Sequence, residues 1–116
     1  VDEEPLLFAG LYEYWRDAAV TNADLLATCT IITTSPSEDM DLHDRMPVVL
    51  NPDDVETWIN IVEHGPDERR LLLRPAPAGT LTHHGVNTAV GSVKNDGPEL
   101  AEPVELIERV EPQSLF

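Results

Sequence analysis

The sequence predicts a β-rich α+β fold in which short strands pair in mixed or antiparallel sheets and helices are few and short. Short segments rich in aromatic, β-branched and threonine residues recur along the chain, a pattern typical of strands. The 116 residues include ten prolines, which favour short elements joined by turns over long helices. A single segment has the apolar spacing of an amphipathic helix. The length suits one domain over residues 1–116.

Two segments carry the clearest strand patterns. The first predicted strand is Leu6–Trp15, in which alternation of side chains places Glu13 on one face with Leu11 and Trp15. The second predicted strand is Leu25–Thr34, which has the isoleucine and threonine content typical of a strand. Three further short strands are predicted, over Val48–Leu50, Leu71–Arg74 and Val86–Val90.

The amphipathic helix is predicted over Asn51–Val62. Asn51 is a suitable N-cap, and Pro52 suits the first helical position because its fixed φ matches the helix. Apolar residues then recur at the spacing of one helical face, which we expect to pack in the core: Val55, Trp58, Ile59 and Val62.

The charge and the cysteine count restrict the class of protein. The net charge is −15, with 22 acids against 7 bases, whereas nucleic-acid binders usually present a basic face. The acid excess therefore argues against a DNA-binding surface and favours a solvated, salt-adapted one. No apolar run approaches the roughly 20 residues of a membrane span, so we expect no membrane partner. The only cysteine, Cys29, allows no internal disulfide and indicates a reduced, cytoplasmic protein.

Two polar residues stand where a packed core would not require them. Glu13 shares its face with apolar neighbours, and desolvation there would favour the neutral carboxyl and suit it to proton transfer. The alternative is an ordinary solvent-facing glutamate. His43 lies between two aspartates and titrates in the physiological range, or it is a loop histidine in local hydrogen bonds. Arg45 contacts a phosphate or forms a structural ion pair with a neighbouring acid.

The remaining candidates for chemistry are weaker. Cys29 lies inside a predicted strand, where a cysteine is usually a small, buried and inert side chain. His83 and His84 are adjacent, so on a strand they would point to opposite faces, and we expect both at the surface. No zinc-protease spacing and no glycine-rich phosphate loop occurs. The sequence therefore predicts no metal site and no cofactor.

Two motifs, FAGLYEYW at residues 8–15 and LHDRMP at residues 42–47, resemble those of the SRAP domain, the family of SOS-response-associated peptidases. The resemblance runs in order through the rest of the chain, in CTIITTSPSEDMDLHDRMPVVL, which contains the second motif, and then in NPDDVETWI, LLLRPAPAGTL and VNTAVGSVKNDGPELAEP. It corresponds to the C-terminal portion of the family domain, without the MCGR-type start that carries the nucleophilic cysteine.

The resemblance implies a compact, barrel-like, mostly β domain that shields abasic sites in single-stranded DNA through a covalent bond. The N-terminal cysteine and its α-amino group would attack the opened sugar, and the same cysteine would remove a short leader or initiator methionine. By resemblance, Glu13 and His43 are catalytic, whereas Tyr14, Arg45 and Met46 contact the DNA. The alternative is a non-catalytic remnant that acts as a folding or protein-interaction module. In either case we expect pairing with a missing N-terminal half or with another copy, because lost strands leave edges exposed.

Overall fold

The structure is a computed structural model that describes residues 4–105. Its strands are β1 (Leu7–Phe8), β2 (Gly10–Trp15), β3 (Leu26–Ile31), β4 (Thr33–Thr34), β5 (Met46–Pro47) and β6 (Val49–Leu50). Its α-helices are α1 (Val55–Ile59) and α2 (Pro66–Arg70), and short 3-10 turns occupy Glu38–Met40, Pro52–Asp54, Thr88–Gly91 and Pro98–Ala101. The chain divides into two compact units, Val1–Thr82 and His83–Phe116. The described strands and α-helices all belong to the first unit, and a single domain over residues 1–116 stays a prediction.

The strands pair as three two-stranded antiparallel sheets: β1 with β6, β2 with β3 and β4 with β5. The predicted β-rich α+β class with short antiparallel strands and few short helices is therefore confirmed. The two long predicted strands are present, but each is divided by one residue. Ala9 separates β1 from β2, and Ile32 separates β3 from β4. Among residues 4–105 the strands thus pair two by two and do not form one continuous sheet.

A ring of three backbone hydrogen bonds explains both divisions. The N–H of Ala9 donates to the carbonyl of Val48, Ile32 donates to Ala9, and Val48 donates to Ile32, each at 2.9 Å. Ala9 and Val48 are completely buried. We call these three residues the junction, because the chain changes its strand partner there. The small core forms around it, with Leu50 buried and four partly buried side chains packed against it: Ile32, Val55, Trp58 and Leu72.

The longest strand pair, β2–β3, extends from the junction with almost no cover, and we call it the ribbon. Eleven of its twelve residues are exposed, and the twelfth, Gly10, is half-buried. Both faces therefore present large apolar side chains: Leu11, Tyr12, Tyr14, Trp15, Leu26 and Ile31. Gly10 is required where the ribbon leaves the junction, since a Cβ there would lie 2.8 Å from the backbone oxygen of Thr30.

The predicted helix over Asn51–Val62 is shorter than expected. A 3-10 turn follows Asn51, whose side chain makes no capping hydrogen bond, and α1 ends at Ile59. The side chain of Asn60 accepts hydrogen bonds from the N–H groups of Val62 and Glu63, which turns the chain out of the helix. As a result Ile59 and Val62 are 68% and 92% exposed, and their predicted core positions are wrong.

Two further predicted strands are absent. Residues 71–74 form turns after α2, in which the N–H groups of Leu72 and Leu73 donate to carbonyls three residues earlier. Residues 88–91 form a 3-10 turn that begins where the side chain of Asn87 accepts a hydrogen bond from Ala89. Local capping and turn formation thus override the apolar content of both segments. None of the helices described is long and apolar enough to cross a membrane.

Candidate functional site

Glu13 lies in the middle of β2, opposite Thr28 on β3. Its face of the ribbon carries Leu11 and Trp15, as the sequence predicts, but the carboxylate is exposed. One carboxylate oxygen accepts a hydrogen bond from the N–H of Tyr14 at 2.8 Å, and the hydroxyl of Thr28 donates to the Glu13 carbonyl at 3.1 Å. The other carboxylate oxygen has no hydrogen-bond partner within residues 4–105.

The side chain of Tyr14 leaves the ribbon from the face opposite to that of Glu13. Tyr14 pairs with Ala27, and successive side chains of a strand leave from opposite faces, so the side chains of Tyr14 and Glu13 start on different sides of the ribbon. Tyr14 packs edge-on against Tyr12, with ring centroids 6.0 Å apart and planes at 83°. More than half of each ring remains exposed. The two tyrosines thus present an aromatic surface without a charged side chain on the same face of β2.

The HDRMP turn, residues 43–47, is held by Arg45 and Met46. The guanidinium of Arg45 donates from Nη2 to the carbonyl of Thr33 at 2.6 Å and from Nε to the hydroxyl of Thr33 at 3.2 Å. The planar guanidinium donates these two hydrogen bonds in a fixed geometry, which a lysine ammonium could not reproduce. This fork of two bonds therefore fixes the direction of the Arg45 side chain. The side chain of Met46 is buried, and its sulfur accepts a hydrogen bond from the N–H of Ser37 at 3.1 Å. No carboxylate pairs with Arg45 in the described part of the chain.

His43 lies at the exposed start of this turn. Its Nδ1 is 3.1 Å from the N–H of Arg45 and 2.9 Å from a carboxylate oxygen of Asp44. The first contact requires an unprotonated Nδ1 that accepts, whereas the second requires a protonated Nδ1 that donates. The two neighbours therefore suit the two protonation states of Nδ1. Nε2 has no hydrogen-bond partner within residues 4–105, and the His43 side chain is 74% exposed.

The HDRMP turn is held by β4, which follows β3, the strand that pairs with Glu13, after the single residue Ile32. Thr28 lies opposite Glu13, and five residues further along the chain Thr33 receives the guanidinium of Arg45. The pairing of Thr34 with Met46 fixes the turn at this position. No hydrogen bond or ion pair joins Glu13 to His43 among the described residues, and their approach to each other stays a prediction.

Cys29 corrects one expectation. It lies on β3 opposite Tyr12 and its thiol is exposed, so the predicted burial is wrong. The reason is that nothing within residues 4–105 covers the ribbon. Because Cys29 is inside the chain, its nitrogen belongs to a peptide bond, and the residue has no α-amino group to assist its thiol. His83 and His84 are exposed, as predicted.

Two other features were not anticipated. A cavity of about 310 Å³ lies beside β1 and β6, and none of the five sequence-predicted site residues lines it.

Near the end of α1, the ligand atoms of Glu56, Glu63 and His64 lie within 4.8 Å of one another. His64 Nδ1 is 2.6 Å from a carboxylate oxygen of Glu68, and this hydrogen bond lowers the pKa of Glu68 below its usual 4.5. The four-residue spacing of His64 and Glu68 was the sequence signal that could have indicated this contact. Both Glu56 and Glu63 are exposed, like most acids of this chain.

Comparison with known proteins agrees with the motifs. Residues 1–93 match the sequence model of the family described as SOS response associated peptidase (SRAP). The abasic site processing protein YoqW of Bacillus subtilis (strain 168) is 45% identical over 96 residues, which cover 82% of this chain and 42% of that protein. The abasic site processing protein HMCES of Gallus gallus is 39% identical over 103 residues, which cover 87% of this chain and 30% of that protein.

A solved crystal structure shares the fold. The protein is from Bacteroides thetaiotaomicron, with a TM-score of 0.73 and 25% sequence identity, and the match covers 90% of this chain and 46% of that one. The chain therefore belongs to the SRAP family. It spans less than half the length of the curated relatives it matches.

Proposed function

We propose that this chain is part of an abasic site processing protein that shields abasic sites in single-stranded DNA by a covalent bond. The observation that carries the proposal is the connection between the two motifs. Glu13 is held on the ribbon, and the strand that continues from the ribbon holds the HDRMP turn through the fork from Arg45 to Thr33. Relatives that match 82% and 87% of this chain are named abasic site processing proteins.

The proposed chemistry conserves atoms and charge. An N-terminal amine of the complete protein adds to the aldehyde carbon of the opened sugar and water leaves, which forms an imine. The neighbouring thiol then adds across the carbon–nitrogen double bond, and a thiazolidine ring closes. Cys29 cannot replace this nucleophile because its nitrogen is acylated by the preceding residue. In the proposed self-processing step the cysteine thiol attacks the carbonyl of the preceding peptide bond and the cysteine nitrogen leaves as the free α-amine. Water then hydrolyses the thioester, which releases the leader or initiator methionine as a carboxylate and restores the thiol.

Glu13 and His43 are the proposed catalytic residues. The free carboxylate oxygen of Glu13 moves the proton between the amine and the departing water. His43 exchanges a proton at Nε2 with the oxygen of the opened sugar, while its Nδ1 lies 2.9 Å from a carboxylate oxygen of Asp44. Both groups are exposed, so no residue among 4–105 blocks a DNA strand from either one.

The proposed DNA contacts come from Tyr14, Arg45 and Met46. The ring of Tyr14 supplies a stacking surface for a base, which suits single-stranded DNA because every base has an aromatic face. Arg45 supplies for a phosphate a positive charge that no carboxylate among residues 4–105 pairs, and Met46 anchors the turn that carries it. Since the net charge is −15, these contacts alone give weak affinity, and basic residues elsewhere in the complete protein supply the remainder.

A second candidate function is a folding or protein-interaction module without catalysis. The exposed apolar side chains on both faces of the ribbon favour it, because soluble monomers rarely leave such a surface uncovered. On this proposal the chain pairs with the remainder of an SRAP domain or with another copy of itself. A reduced, cytoplasmic setting, with the single thiol of Cys29 left free, fits both candidates.

A denaturing gel tests the first candidate. Single-stranded DNA with one abasic site is incubated with the protein expressed from its complete gene, and with this chain alone. We expect a shifted, denaturation-resistant band with the complete protein only. Glu13→Gln and His43→Gln should each slow its formation by roughly 10²-fold or more, as expected for the loss of a general acid or base.

Matched controls distinguish chemistry from folding. Glu102→Gln and His83→Gln remove the same groups at exposed positions of the second compact unit, outside both motifs, and should leave the rate unchanged. A complete protein that folds but gives no band would favour the interaction module. A band formed by this chain alone would show that an amine or thiol within it reacts, and would overturn the proposed nucleophile.

A further inference from the structure

The ribbon has two edges, and the hydrogen bonds show which backbone groups point outward. The carbonyl of Gly10 accepts a hydrogen bond from the indole N–H of Trp58 at 3.2 Å, and the N–H of Tyr14 donates to the side chain of Glu13. Neither bond goes to β3, so the even-numbered residues of β2 point away from it. In an antiparallel pair, residues directly opposite each other point outward together. The outward residues of β3 are therefore those opposite Gly10, Tyr12 and Tyr14, namely Ile31, Cys29 and Ala27.

The two edges differ in whether their outward backbone groups have hydrogen-bond partners. On the β2 edge, Trp58 and the side chain of Glu13 occupy two outward groups. On the β3 edge, no N–H or carbonyl of Ala27, Cys29 or Ile31 has a hydrogen-bond partner within residues 4–105. A run of unpaired, regularly spaced donors and acceptors of this kind is a template for a further strand.

The side chains beside this edge also lack cover. Leu26 and Ile31, one on each face of the ribbon, are more than half exposed, and Cys29 is exposed between them. A two-stranded ribbon is marginally stable by itself, whereas a third strand would cover apolar surface and pair the open backbone groups. No lysine, proline or charged side chain protects β3, although natural edge strands commonly carry one.

The lengths and the charge indicate which chain supplies that strand. The match covers only 42% of YoqW and 46% of the solved Bacteroides thetaiotaomicron chain, so each carries at least as much chain again beyond the segment that shares this fold. A second copy of the present chain is disfavoured, since each copy carries a net charge of −15 and the two would repel.

We propose that the outer edge of β3 is a docking edge for a β-strand from the part of the SRAP domain that relatives carry outside the matched segment. The strand pairs with the outward backbone groups of Ala27, Cys29 and Ile31 and leaves the β2 edge, with Glu13 and Tyr14, open for substrate. This inference rests on the proposed pairing with the remainder of the domain, but not on the abasic-site chemistry. A chain without crosslinking activity would still show the docking.

Amide hydrogen exchange of the unmodified chain provides the first test. The probe is a polypeptide made of the part of Bacillus subtilis YoqW outside the 96 matched residues. Addition of the probe should slow exchange at the amides of Ala27, Cys29 and Ile31 and leave that of Tyr12, on the other edge, fast. Alkylation of the Cys29 thiol, read by mass spectrometry, should slow as well. Binding of the probe with unchanged exchange at the three β3 amides would overturn the proposal.

Proline substitution at each edge provides the second test. Cys29→Pro removes an outward N–H of β3 without removing a β2–β3 hydrogen bond, and it should weaken probe binding by about tenfold or more. Tyr12→Pro makes the same change at the β2 edge and should leave binding unchanged, as should Cys29→Ala. Equal losses from both proline variants would contradict a β3-specific edge. Protection that rises with the concentration of the chain alone would assign the edge to a second copy instead.

Discussion

The junction and the ribbon are built from the same two strand segments, yet they differ in what stabilises them. At the junction, Ala9, Ile32 and Val48 close a ring of backbone hydrogen bonds, and two of the three are completely buried. Beyond Gly10, β2 and β3 keep their pairing but lose nearly all cover. Burial of apolar surface is the main favourable contribution to folding, so the stability of this unit is concentrated at the junction. The ribbon contributes the surface on which Glu13 is presented.

This comparison also explains why the candidate functional groups lie where they do. Exposed strands are poor sources of stability, but they allow polar groups to meet a substrate without a buried, unpaired charge. The HDRMP turn combines a buried residue with an exposed one. Met46 is buried, whereas the side chain of His43 is 74% exposed. The turn is thus anchored from one side and open on the other.

The largest effect that separates the two regions should come from Val48→Ala. Val48 is completely buried, and the loss of two carbons with partial collapse of the space should lower the free energy of unfolding by about 2–3 kcal/mol. Leu26→Ala removes more carbon from the ribbon, but Leu26 is 56% exposed, so about 1 kcal/mol or less is expected. Urea unfolding followed by circular dichroism measures both. A larger loss from Leu26→Ala would show that the ribbon is covered in solution and that the comparison fails.

Gly10→Ala tests the boundary between the two regions. The added Cβ would lie 2.8 Å from the Thr30 oxygen, which is a backbone atom and cannot move without disturbing β3. We expect a loss of about 1–3 kcal/mol in urea unfolding. Gly91→Ala is the matched control, because its Cβ would meet nothing within 4 Å, and it should have little effect. An unchanged midpoint for Gly10→Ala would mean that the ribbon is not held against the junction as described.

The sequence predicted the elements with strong alternation and missed those decided by a single polar side chain. Alternating aromatic and threonine residues identified the strands that became β1 to β4, and the motifs located Glu13 and His43. The helix end was missed because Asn60 captures two N–H groups at the point where the apolar stripe still continues. A pattern of hydrophobicity does not contain this competition.

The errors in burial have a different cause. Cys29, Ile59 and Val62 were expected inside because their residue types and spacing are typical of a core, but all three are exposed. Burial depends on what lies opposite, and the described part of the chain offers nothing opposite these positions. Likewise, the fork from Arg45 to Thr33 joins residues twelve positions apart, which no local pattern indicates. The sequence therefore locates the candidate residues better than their surroundings.

Arg45→Lys sharpens the comparison at the HDRMP turn, with a smaller expected effect. Lysine keeps the charge but cannot reproduce the fork to the hydroxyl and carbonyl of Thr33, so a loss of about 1 kcal/mol in unfolding free energy is expected. Arg70→Lys is the control, since within residues 4–105 the side chain of Arg70 makes only an exposed contact of 3.6 Å to Asp67. If the two variants lose equal stability, the turn is not anchored to β4 through its arginine.

The smallest expected effect is a pH dependence outside both regions, in α2. The hydrogen bond from His64 holds the pKa of Glu68 below 4.5, so Glu68 binds a proton more readily in the unfolded chain than in the folded one. Its stabilising contribution is present above pH 4.5 and is lost as the pH falls through the lowered pKa. Urea midpoints from pH 7 to 3 should therefore separate the unmodified chain from Glu68→Gln at neutral pH and converge in acid. Glu102→Gln should not reproduce this convergence. A gap between Glu68→Gln and the unmodified chain that widens on acidification would reverse the sign and contradict the His64–Glu68 contact.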